Sequence, residues 1–123
     1  MKRILLIDDE DLTLIFLKKV LLEEGYDVMV ASDGESGLAK FRENPADLVI
    51  TDMVMPVKDG LSMILELRQI DENVPVVAIS GGGAVAKERY LTIAGTLENV
   101  RTLAKPMKMS EFRKVVREML YSP

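Results

Sequence analysis

Short runs of β-branched and aliphatic residues alternate with longer segments of helical period, five times along this chain. The runs are residues 3–7 (RILLI), 27–31 (DVMVA), the Leu48-Val49-Ile50 stretch, 75–79 (PVVAI) and 100–104 (VRTLA). Each has the length of a strand, and their largely apolar character suits strands covered on both faces. Between them the period changes. Over residues 11–24, Leu14, Leu17 and Leu21, with neighbours Ile15 and Val20, form an apolar stripe. Lys18, Lys19, Glu23 and Glu24 lie opposite, and Gly25 is placed to cap the end. Asp33-Gly34 opens a second helix to about residue 43, which Asn44-Pro45 closes. Asp59-Gly60 opens a third through Leu61, Ile64, Leu65 and Leu67. A fourth is predicted from Ala84 to about Thr96, and Ser110 is expected to cap a fifth carrying Phe112, Val115, Val116, Met119 and Leu120.

Buried strands alternating with helices imply an α/β fold with a parallel sheet sandwiched between helices and joined by right-handed crossovers. Five such units fit a doubly wound five-stranded sheet of order 2-1-3-4-5, the flavodoxin-like (βα)5 arrangement. At 123 residues the chain has room for one domain with a proper core, and 1–123 is expected to be that domain. Composition removes several chemistries. A net charge of −4 argues against direct nucleic-acid binding. With neither cysteine nor histidine there is no thiolate or imidazole metal site, no Ser-His-Asp triad and no histidine base. The apolar start is broken by Asp8-Asp9-Glu10-Asp11, which no signal or membrane segment would tolerate, so a cytoplasmic protein with no membrane partner is expected. The methionines Met29, Met63, Met107, Met109 and Met119 fall in apolar patterns and are expected to fill the core.

In a parallel sheet all strands end on the same edge, and that edge holds the ligand crevice. The exceptional polar residues fall there. Asp8 and Asp9 follow the first strand, Thr51 and Asp52 follow the third, Ser80 the fourth and Lys105 the fifth. Each has an ordinary explanation alone, since Asp and Ser cap helices and turns. Together they describe a site. Three carboxylates in one crevice repel unless a cation neutralises them, and oxygen-only ligands select a hard cation such as Mg²⁺ or Mn²⁺. Lys105 adds a point charge for a carboxylate or phosphoryl oxygen. Ser80 adds a hydroxyl, and Gly81-Gly82-Gly83 lets backbone N–H groups approach an anion. Aspartate is a competent nucleophile for phosphoryl transfer, so the sum is a site for carboxylate, divalent metal and phosphoryl group together.

Four segments, ILLIDDE, DLVITDMVMPVKDG, VPVVAISG and TLAKP, carry a resemblance to the receiver domain of two-component response regulators, such as the chemotaxis regulator, over essentially the whole chain. The resemblance implies that Asp52 is the phosphoacceptor, attacking a phosphoryl group on a partner's phosphohistidine. It implies that Asp9 is a direct Mg²⁺ ligand, that Asp8 acts largely through water, and that the backbone carbonyl of Val54 is a further ligand. Ser80 then matches the switch hydroxyl, with Gly81 beside it, and Lys105 the lysine on the phosphoryl oxygens, often joined to its proline by a cis bond. The implied partners are a sensor histidine kinase or a histidine phosphotransfer protein, and a downstream protein that the sequence does not identify. The implied activity is signalling, with only self-catalysed phosphotransfer and dephosphorylation. Three departures stand out. Thr102 occupies a possible switch position where an aromatic residue is common, Met107 replaces a common Phe, and Val54 and Gly82 put no carboxylate or amide side chain near the phosphoryl group.

Rival readings are weaker. An aspartate-nucleophile phosphatase would use the acids after the first strand, but the chain offers no cap domain or second helper motif. A flavin carrier on this fold would need an uncharged phosphate loop there instead of acids. A degenerate receiver would have lost part of the Asp8, Asp9, Asp52, Ser80 and Lys105 set, which is intact.

Overall fold

The computed structural model describes residues 1–53, 55, 58–81 and 97–121. Five strands, β1 (Arg3–Ile7), β2 (Asp27–Ala31), β3 (Leu48–Asp52), β4 (Val76–Ser80) and β5 (Val100–Ala104), form one sheet of order β2-β1-β3-β4-β5. Every neighbouring pair is parallel. The helices among the described residues are α1 (Asp11–Glu23), α2 (Gly34–Glu43), α3 (Gly60–Ile70) and α4 (Met109–Tyr121). The helix expected over residues 84–96 lies outside the described residues.

Successive strand residues point to opposite faces, and the two faces build two cores. Ile4, Leu6, Leu48, Ile50, Val77 and Ile79 pack with Leu14, Leu17 and Leu21 of α1 and with Phe112 and Val116 of α4. Leu5, Ile7, Val49, Val76 and Ala78 pack with Leu38 and Phe41 of α2 and with Ile64 and Leu67 of α3. The central strands β3 and β4 are buried throughout.

The helix ends follow the local chemistry of their residues. Asp33 caps α2 by accepting the Ser36 N–H at 2.7 Å, and Asp59 caps α3 by accepting the Ser62 N–H at 2.8 Å. At the end of α1 the Gly25 N–H donates to Leu22 O at 3.0 Å and the Tyr26 N–H to Leu21 O at 3.3 Å, a Schellman closure. It places Gly25 at φ +92° with no neighbour within 4 Å of where a Cβ would sit. Gly25→Ala would therefore meet backbone strain and nothing else. It is expected to cost about 1–2 kcal/mol, read as a lower urea midpoint at unchanged slope.

Four details differ from expectation. Strand β4 begins at Val76, because Pro75 has no N–H to donate and enters the sheet only through its carbonyl, which accepts from Val49 N at 3.0 Å. At the other end Ser80, paired with Ala104, is the last residue of the strand. Helix α4 starts at Met109, with Phe112 N bonded to Lys108 O at 3.0 Å, so Ser110 lies inside the first turn and is not its cap. Ile15 is 66% exposed and Leu65 49% exposed, since one stripe per helix already fills the space above the sheet. Met63 is fully buried, whereas Met29, Met107, Met109 and Met119 pack against the cores only partly covered.

Candidate functional site

The site is set by strand register. Ile7 pairs with Thr51, so Asp8 and Asp52 lie level one step further along β1 and β3. Asp8 continues the row of Ile4 and Leu6, and Asp52 the row of Leu48 and Ile50, so both start from the same face of the sheet. The sheet's bonding runs past the strand ends. The Asp8 N–H donates to Ala31 O at 3.1 Å, the Met53 N–H to Ile79 O at 2.8 Å, and the Lys105 N–H to Ser80 O at 2.7 Å. Asp8, Asp52, Ser80 and Lys105 are thus each fixed through their own backbone or that of a neighbour. Lys105 is joined to Pro106 by a cis peptide bond.

Asp8, Asp52 and Ser80 are buried, at 2%, 7% and 0% exposure, while Asp9 is exposed. One carboxylate oxygen from each of Asp8, Asp9 and Asp52 lies within 4.8 Å of the others. The Lys105 ammonium sits 3.7 Å from Asp52 Oδ2 and 3.8 Å from Asp8 Oδ2. Asp8 Oδ1 accepts the Glu10 N–H at 2.9 Å. Burial raises the Asp8 carboxyl above its ordinary 3.8, opposed by that N–H bond and by Lys105, and reinforced by Asp52 and Asp9. Among the described residues three acids therefore face one lysine, and burial opposes ionisation of Asp8.

This donor set fits a small hard cation. Octahedral Mg²⁺ with oxygens at roughly 2.1 Å spans about 4 Å between opposite ligands, so carboxylate oxygens within 4.8 Å need only a small rotation or one intervening water. Of the expected site, Asp8, Asp9, Asp52 and Lys105 are brought together, and Ser80 ends the adjoining strand with Gly81 directly after it. Val54 and Gly82 lie outside the described residues. Thr102 is exposed on β5, in register with Ala78.

Two features were not read from the sequence. The Glu10 N–H held by Asp8 ties the buried acid to the start of α1. Helix α1 also carries an outward apolar row, Leu12, Ile15, Phe16 and Leu22, each at least half exposed. The signal was present, since α1 has more apolar residues than its inward stripe of Leu14, Leu17, Val20 and Leu21 requires. Leu12 and Phe16 join Pro106, Met107 and Met109 in lining a groove of about 540 Å³ that reaches Lys105 and Gly81.

Comparison with known proteins agrees with this geometry. The profile of the response regulator receiver domain matches residues 4–117. The chain is 32% identical over 120 residues to the response regulator receiver protein CpdR of Brucella abortus, covering 98% of each. It is 30% identical to sporulation initiation phosphotransferase F of Bacillus subtilis, covering 97% of this chain and 94% of that one. Among solved structures, the response regulator TrrA of Thermotoga maritima, in complex with Mg²⁺ and BeF, superposes with a TM-score of 0.85 at 31% identity, over 98% of this chain and all of that one. No helix among the described residues is long and apolar enough to cross a membrane. An acidic edge closed by one lysine, on a 2-1-3-4-5 sheet matched from end to end by such relatives, places this chain in the response regulator receiver domain family of two-component systems.

Proposed function

We propose that Asp52 accepts the phosphoryl group. The observation that carries this is the Lys105 ammonium, 3.7 Å from Asp52 Oδ2 and 3.8 Å from Asp8 Oδ2 in a crevice with three carboxylates. An ionised carboxylate needs no base to attack phosphorus, which suits a chain without histidine. An Asp52 oxygen forms the new P–O bond as the donor's P–N bond breaks, and the donor imidazole leaves with the bond's electron pair. Asp8 and Asp9, with Asp52 and the Val54 carbonyl, would hold Mg²⁺ or Mn²⁺. The bound metal supplies neutralisation of charge on the transferred group. Lys105 takes a phosphoryl oxygen, exchanging part of its pairing with Asp52. Ser80, ending the neighbouring strand, is the hydroxyl that responds, with Gly81 beside it. Thr102 occupies the place of the second switch residue. It lacks an aromatic ring, so the response would travel by another contact.

The donor is a phosphohistidine on a kinase or phosphotransfer protein. The groove beside Lys105, walled by Leu12, Phe16, Met107 and Met109, supports an apolar helix docking next to the acceptor. A cytoplasmic setting fits such a donor. The test is intact mass after incubation with acetyl phosphate and Mg²⁺. One added phosphoryl group, absent when metal is chelated before the reaction, is the expected result. Unmodified protein that also fails to bind beryllium fluoride would sink the proposal.

A further inference from the structure

We infer that Gly60 is a positioning residue for the acceptor, and that its missing side chain sets where Asp52 sits. The inference rests on the phosphoacceptor reading of Asp52. The first residue of α3 lies against the end of β3. A Cβ added to Gly60 would fall 2.5 Å from Asp52 O and 2.7 Å from Met53 Cα, both backbone atoms. The Gly60 N–H donates to Met53 O at 3.0 Å, so the two segments are bonded at the same point where they touch.

This differs in kind from the contact at Gly37. At Gly37 the nearest atom to an added Cβ is Ile7 Cδ1 at 2.5 Å, the end of a side chain that can turn away. At Gly60 no rotamer change relieves the contact with Asp52 O and Met53 Cα, so either α3 or the end of β3 must move by several tenths of an ångström. Helix α3 is anchored by its Asp59 cap and by buried Met63, Ile64 and Leu67. The Asp52–Met53 backbone is the end of a strand, where the Met53 N–H donates to Ile79 O, the Thr51 hydroxyl donates to Asp52 O at 2.9 Å and Met53 O accepts the Gly60 N–H. A shift of Gly60 is passed to the strand end directly, through the close approach to Asp52 O and the bond to Met53 O. Reactive groups tolerate about half an ångström of misplacement before rate is lost.

The experiment compares Gly60→Ala with Gly37→Ala and wild type. Amide shifts of Asp52 and Met53 are recorded by NMR in metal-free protein. Mg²⁺ affinity is taken from titration of the folded resonances, and the initial phosphorylation rate with acetyl phosphate from intact mass. Thermal midpoints are measured alongside. Gly60→Ala is expected to move the Asp52 and Met53 amides, weaken Mg²⁺ binding and slow phosphorylation by about tenfold to a hundredfold. Gly37→Ala is expected to lower the midpoint while leaving metal affinity and rate within about twofold of wild type. A Gly60→Ala protein that is merely less stable, with wild-type Mg²⁺ affinity and rate, overturns the inference. So does one that does not fold at all, because the residue would then serve the core. Wild type that takes up no phosphoryl group in the same assay counts against the acceptor reading instead. The Mg²⁺ titration and the amide shifts still judge Gly60 in that case.

Discussion

Asp52→Asn is expected to take up no phosphoryl group from acetyl phosphate or from a phosphohistidine protein, and to fold at least as stably as wild type. The two halves of that result have one cause. Asp52 is 7% exposed and shares its crevice with Asp8, Asp9 and Lys105. The amide has the same shape, so packing against the end of the sheet is retained, but its nitrogen and oxygen are not nucleophiles at neutral pH. Removing one of three acids also lowers the repulsion among them, while Lys105 keeps Asp8 at 3.8 Å as a partner. Intact mass and a thermal melt on the same sample read both effects. Modification surviving in the variant would place the nucleophile elsewhere, with Asp8 the next carboxylate beside Lys105. A variant that melts well below wild type would mean that the Asp52–Lys105 pair stabilises the fold more than the acid cluster strains it.

The sheet was legible because its determinants are local and repeated. RILLI and PVVAI are too short and too uniformly apolar for amphipathic helices, and their alternation with helical stripes admits few topologies. Once the strands are parallel, Asp8, Asp52, Ser80 and Lys105 must fall on one edge, and the order 2-1-3-4-5 makes their strands neighbours, so their proximity followed from strand ends alone. What stayed hidden depends on contacts between distant segments. Nothing near Gly60 in sequence says that Asp52 O will lie where its Cβ would be. The DG pair reads equally well as an ordinary helix start, which it also is, with Asp59 capping Ser62. The period places Ile15 in the inward stripe beside Leu14, but a helix lying on a sheet buries a narrow arc, and Leu14, Leu17 and Leu21 fill it. Ser110 looked like a cap because its residue type favours one. The bond from Phe112 N to Lys108 O moves the helix start two residues earlier, to Met109.

Asp8→Asn should act in opposite directions on stability and on metal binding. The Asp8 carboxyl is 2% exposed, and burial is the main reason that it holds its proton above the ordinary 3.8. The native state therefore keeps that proton to higher pH than the unfolded chain does. In metal-free protein this contribution lowers stability as pH rises from 3.8 through the raised native value, and leaves a standing cost at neutral pH. The Asn side chain removes that cost and can still accept the Glu10 N–H through its oxygen, as Asp8 Oδ1 does at 2.9 Å. In chelator, the variant is expected to melt several degrees above wild type. With Mg²⁺ the order should reverse. A cation that binds only the folded state stabilises wild type by about 2.7 kcal/mol at a hundred times its dissociation constant. Loss of one carboxylate from the set of three should weaken binding by at least about tenfold, so the variant gains far less. The two melting curves, measured with chelator and with Mg²⁺, would then cross. A variant less stable than wild type in chelator would show that the Asp8–Lys105 pair at 3.8 Å outweighs the burial of the charge, and that the lysine alone already balances the site. Crossing curves would mean that the acidic edge is held in a charge-crowded state which the cation relieves, so that the stability given up by burying Asp8 is recovered when metal binds.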